Sequence, residues 1–206
     1  MKDNIGYKLF RVSKKNKGKI YPLFVNSNKE TPIGVWIDAE CGEMNEQGKV
    51  KSKLGGLCFR PGWHLSDLPY AKHIGKKGDS GEIEYINENY VWAECSYSDR
   101  INYQLQANEN GRNKKGIVIP KNAYLKDIPY DGYYRYKTSP NMYGDWIIAG
   151  AIKVNRILTD EEVNKILIEN GISPMLRYGG EINLEEYGLT IWLKEDKSCN
   201  LNYLKL

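Results

Sequence analysis

Apolar residues in this chain come in short runs cut apart by turn residues, and one run alone carries a full set of helix signals. That run is TDEEVNKILIENG. Thr159, followed three residues later by Glu162, makes a capping box in which the hydroxyl accepts from a backbone N–H and the carboxylate accepts from the cap's own N–H. Val163, Ile166 and Leu167 form the inward stripe, and Gly171 closes the helix. Elsewhere the chain favours strands. YVWAECSY sets Val91, Ala93 and Cys95 on one face and Trp92, Glu94 and Ser96 on the other, the alternation of a strand. YKLFRV (Tyr7 to Val12) and IYPLFV read as strands, the second with Pro22 marking an edge or bulge. LCF and WHL are short strands broken by RPG; GIVIP and LTIWL are strand-like. WIIAGAIKVNRIL is two β stretches joined at Gly150. A second helix is expected after WHL, capped by Ser66 or Asp67, with Pro69 in its first turn, Leu68, Tyr70, Ala71 and Ile74 as its apolar side, and Gly75 as its end. Residues 100–116 read as loop with one helical turn. The fold class expected from this pattern is α+β: a curved or split, mostly antiparallel sheet with two or three short helices.

A length of 206 residues suits one domain, and no Pro/Gly/Ser-rich linker divides it. The expected organisation is a single domain over 1–206, with a core at about 7–170 and a C-terminal extension, 171–206, packed on it. No G-x-G-x-x-G turn, Walker loop or internal repeat is present. No run of about 18 apolar residues occurs, and MKDNIGYKLF lacks the apolar stretch of a secretion signal. These features lead us to expect a cytoplasmic protein with no membrane partner. Cys41, Cys58, Cys95 and Cys199 are widely spaced without a C-x-x-C pair, so no metal site is expected. The net charge of +4 is uneven, with cations in excess before residue 81 and acids in excess after residue 158. A basic N-terminal part attracts phosphate, whether of nucleic acid or of a dinucleotide; a solvated lysine-rich surface is the plainer account.

Two stretches concentrate chemistry. GWHLSDLPYAKHIG holds both histidines, His64 and His73. With Lys72 or Arg60 and a tyrosine such as Tyr134, they supply the acid, base and cation of a metal-independent ribonuclease. YDGYYRYKTSPNMYGDW is the densest aromatic stretch in a chain with 16 Tyr and 5 Trp against 3 Phe. Tyr and Trp bury a ring and keep a polar tip wet, which suits a groove or an interface, or equally a tyrosine-rich sheet surface.

YKLFRV, GLCFRPGWHLSDLPYAKHIG and GDWIIAGAIKV, in this order, resemble the three-motif layout of ADP-ribosyltransferase-like domains. The resemblance implies that fold, and NAD as cofactor. It places Arg11 of the first motif on the NAD. It puts His64 of the second and Asp145 of the third in the catalytic positions, with Trp63, Tyr70 and Tyr143 as stacking partners for the nicotinamide. Asp145 is shorter than the glutamate usual in the third motif, and His64 stands where tyrosine or serine is commoner. A carboxylate near the ribose stabilises the cationic state through which the glycosidic bond breaks, and a strand arginine fixes a phosphate or ribose edge. Over about 7–170, with YRYKTSPNMYGDWIIAGAIKVNRIL, the chain is also similar to uncharacterised domains of phages and other mobile elements. The implied function is modification of a host protein or nucleic acid. The alternative is a non-catalytic anti-defence inhibitor, of the anti-CRISPR kind, that binds a host nucleoprotein complex through its aromatic surface. The duller accounts are a surface ion pair for Arg11, a loop hydrogen bond for His64, a helix-surface position for His73 and a backbone-bonded turn for Asp145.

Overall fold

The structure is a computed structural model that describes residues 4–53, 55–77 and 84–192. Its strands, in chain order, are β1 (Ile5–Val12), β2 (Ile20–Pro22), β3 (Trp36–Asp38), β4 (Val50–Ser52), β5 (Gly55–Leu57), β6 (Trp63–Ser66), β7 (Lys76–Lys77), β8 (Glu84–Ile86), β9 (Tyr90–Tyr97), β10 (Ile101–Asn102), β11 (Gly132–Tyr136), β12 (Trp146–Ala149), β13 (Ala151–Ile157) and β14 (Leu176–Arg177). Two α-helices are present among the described residues, α1 (Gln104–Asn110) and α2 (Asp160–Glu169). The main sheet runs β10-β11-β12-β6-β1-β9-β13-β3, with β2 on β1 as well. Its pairs are antiparallel except β10 with β11, and among the described residues β10 and β3 end it without a further strand, so the fold is α+β with a largely antiparallel, non-closed sheet.

The sheet is buried on both faces because its central strands alternate between two cores. Phe10, Val12, Val91, Ala93, Cys95, Ile152 and Val154 point to one face, where Leu184, Tyr187 and Leu189 of the C-terminal segment cover them. Leu9 and Trp92 point to the other, where Val163 and Leu167 of α2 pack with Leu158, Ile172 and Met175. A third cluster joins Tyr134, Tyr136 and Ile148 to Ala107 of α1 and to Leu125. The α2 capping box forms as its sequence dictates: Thr159 accepts from the Glu162 N–H while Glu162 accepts from the Thr159 N–H. Glu162 also meets Arg156 of β13, which reaches Glu94 of β9, so one ion-pair chain fastens the helix to the sheet.

Several elements depart from the sequence pattern. The helix expected after WHL is a 3-10 turn at Lys72–Ile74 alone. Ser66 caps nothing: it is the last residue of β6, and its hydroxyl donates to the carbonyls of Leu68 and Tyr7. Cross-strand pairing of Ser66 with Tyr7 and Trp146 overrides the local signal. GIVIP contributes an isolated bridge, Arg112 to Val118, and a 3-10 turn at Pro120–Asn122. In LTIWL, Thr190–Trp192 form a 3-10 turn rather than a strand. The aromatic stretch supplies β11, whose Tyr134 and Tyr136 are buried. Gly150 joins β12 to β13 where a Cβ would fall 1.8 Å from the Pro129 carbonyl oxygen, so only glycine fits that corner. Cys199 and the end of the C-terminal extension lie outside the described residues.

Candidate functional site

The decisive feature of the sheet is that one edge of β1 is shared. Near its start β1 pairs with β6 through Tyr7 and Ser66; near its end it pairs with β2 through Phe10, Arg11 and Val12. Between them Lys8 and Leu9 have no strand partner on that side among the described residues. A cavity of about 380 Å³ opens there, within the size range of small-molecule sites. Alternation along the strands brings walls to it from both faces: Lys8 and Trp63 from one, Tyr7, His64, Trp92 and Trp146 from the other. The chain around β3 closes a further side, held by Trp63, whose indole N–H donates to the Ile37 carbonyl at 3.0 Å. Gly62 sets the entry to β6 with φ +123, and a Cβ there would lie 2.3 Å from Ile148.

Both histidines line this cavity. His64 Nε2–H donates to the Arg60 carbonyl at 3.0 Å, and its ring meets Tyr136 edge-on. A carbonyl only accepts, so the neutral ring carries its proton on Nε2 and presents Nδ1 as an acceptor. Burial lowers the His64 pKa to about 4, with the Lys8 and Arg60 charges adding to the effect, so the ring is neutral near pH 7. His73 is exposed and stands edge-on to Trp146, with ring centroids 5.6 Å apart. Arg60 lies 3.9 Å above the Tyr136 ring and donates to the Lys121 carbonyl.

Of the residues that the ADP-ribosyltransferase resemblance singles out, Trp63 and His64 line the cavity, whereas Arg11, Tyr70, Tyr143 and Asp145 do not. Arg11 shares the face of Tyr7 and Leu9, but its guanidinium turns to the Ser27 carbonyl at 2.8 Å and stacks over Tyr21. Asp145 belongs to a separate polar cluster at the end of β6. Its N–H donates to Asp67, and its carboxylate lies 3.5 Å from Lys137 and 3.9 Å from Arg135. Tyr143 is exposed and meets Tyr70 edge-on at 5.5 Å. The residues that sequence reasoning missed are Lys8, Trp92 and Trp146. Lys8 had a signal: it is a lysine set between Tyr7 and Leu9 in a strand pattern. Trp92 and Trp146 had none, since only the strand order brings their rings to the same opening.

Among the described residues no group of three metal-ligating side chains occurs, and no helix is long and apolar enough to cross a membrane. Comparison with protein-family models, with curated proteins and with solved structures finds no match to this chain.

Proposed function

We propose that this chain binds a nucleotide, with NAD as the candidate, in the opening between β2 and β6. The observation that carries the reading is the convergence of three indoles, Trp63, Trp92 and Trp146, and of both imidazoles on one cavity. Flat aromatic walls favour a flat ring such as a nucleobase or nicotinamide, and a neutral His64 offers it a hydrogen-bond acceptor. The ADP-ribosyltransferase resemblance supports the same ligand class through Trp63 and His64. It supports the transfer step less well, because Arg11 and Asp145 are engaged elsewhere. Modification of a host protein or nucleic acid from this cleft would draw on a carboxylate that lines it, Glu30, Asp38 or Glu40.

The two-histidine ribonuclease is the weaker reading, since a ring held near pKa 4 is a poor proton donor-acceptor at neutral pH. The non-catalytic binder of a host complex has its own support. Val35 and Trp36, at and beside the edge strand β3, and Tyr143 on the aromatic stretch are each more than half exposed.

Quenching of tryptophan fluorescence by NAD tests the nucleotide reading. A saturable change at or below millimolar ligand, about 4 kcal/mol of binding, is expected. In Trp63→Ala the affinity should fall by about tenfold, the loss of one stacking ring. A linear, non-saturating response in the parent protein overturns it.

A further inference from the structure

Lys8 is a cation of the cleft with no ion-pair partner among the described residues. It lies where the edge of β1 shared by β2 and β6 has no strand partner among the described residues, and its ammonium donates to the His64 carbonyl at 2.9 Å. Beyond that it faces rings, 5.4 Å from the centroid of Trp63 and 5.7 Å from that of Phe10. No carboxylate forms an ion pair with it among the described residues. Lys29, the other lysine on the cavity, is matched by Glu40. Of the groups that interact electrostatically with Lys8, His64 is a neutral ring and burial pushes the Cys95 thiol up to about 12, while the cleft carboxylates Glu30 and Glu40 pair with Lys19 and Lys29.

A half-buried ammonium among aromatic rings has lost hydration that one carbonyl and two π faces replace only in part. The cost is visible in its proton affinity, since burial lowers the Lys8 pKa to about 8. An arriving anion would supply the missing charge and gain from the low polarity of the site.

We infer that the ligand of this cleft is phosphorylated and that Lys8 anchors its phosphate. Lysine suits this task as a compact point charge. The inference rests on the nucleotide reading for the ring and adds the charge: the ring stands among the tryptophans, and the phosphate lies toward β1. Arg11, three residues along the same strand, faces away from this point and is occupied by Ser27 and Tyr21.

The test compares adenosine, ADP and inorganic pyrophosphate by calorimetry on the full chain, as the parent protein, Lys8→Met and Lys115→Met. Lys8→Met keeps the length of the side chain and removes a desolvated charge, so its melting temperature should match or exceed that of the parent. Lys115, exposed and outside the cavity, is the control for net charge. ADP is expected to bind at least about tenfold tighter than adenosine, to fall to the adenosine level in Lys8→Met, and to be unaffected by Lys115→Met. If ADP and adenosine bind alike, or if Lys8→Met leaves ADP affinity unchanged, the anchor is overturned and the nucleotide reading stands. If pyrophosphate binds through Lys8 while ADP and adenosine do not, the anion site stands and the nucleotide reading falls. If none of the three binds, both fall.

Discussion

Tyr7 and Ser66 form the single register pair between β1 and β6, and beyond Tyr7 no residue of β1 pairs with β6. From Phe10 onward the same edge belongs to β2. The candidate site is a consequence of this hand-over, since Lys8 and Leu9, paired with β9 but with no strand partner on the β2–β6 edge among the described residues, leave room for the cavity.

His64 gives stability a pH dependence of definite sign. Its pKa is about 4 in the fold against about 6.5 in an unfolded chain. The unfolded state therefore binds more protons between these values. The contribution is fully present above pH 6.5 and is lost as the pH falls toward 4. Between pH 6.5 and 5 the loss is at most about 2 kcal/mol, from about 1.4 kcal/mol per unit. Urea unfolding at the two pH values should show this loss in the parent and a smaller one in His64→Gln. Equal pH dependence in both would assign the effect to other groups.

Arg177 should be the most sensitive ionic residue. It is 8 % exposed, clasps Asp160 of α2 through Nε and Nη2 at 2.7 and 2.6 Å, and donates from Nη1 to the carbonyls of Asn87 and Tyr90. Arg177→Met leaves Asp160 and these carbonyls without their donor. A loss of about 3–5 kcal/mol is expected in chemical denaturation. A change below about 1 kcal/mol would mean that water replaces the guanidinium.

Thr159→Ala removes one half of the α2 capping box and should cost about 1 kcal/mol, read as a lower melting temperature. Ligand binding should not change, because α2 lies on the α2-packed core and contributes nothing to the cavity walls. Weakened binding at full stability would place α2 in the site.

Tyr136 and Tyr143 belong to one aromatic stretch of the sequence but to different environments. Tyr136 is 7 % exposed, beneath Arg60 and against His64, whereas Tyr143 is 52 % exposed. Tyr136→Ala should lose about 3–5 kcal/mol. Tyr143→Ala should stay within about 0.5 kcal/mol. Paired thermal melts decide this, and equal losses would show that Tyr143 is packed in solution.

What the sequence determined on its own was local. The period-two alternation of YVWAECSY became β9 with Trp92 opposite Val91 and Ala93, and the Thr159–Glu162 spacing became a capping box. Both depend on residues a few positions apart, whose geometry is fixed by backbone period and hydrogen-bond reach. Where a local signal competed with a cross-strand partner it lost: Ser66 and Asp67 have the chemistry of a helix cap, yet Ser66 is held in β6 by Tyr7 and Trp146. The site was legible in part, through Trp63 and His64 on one short strand. Its remaining walls come from segments far apart in the chain, with Lys8 on β1, Trp92 on β9 and Trp146 on β12. Only the strand order decided that these side chains share one opening and that Arg11 and Asp145 do not line it. Strand order is set by the summed burial of both sheet faces, a property of the whole chain that no single motif carries.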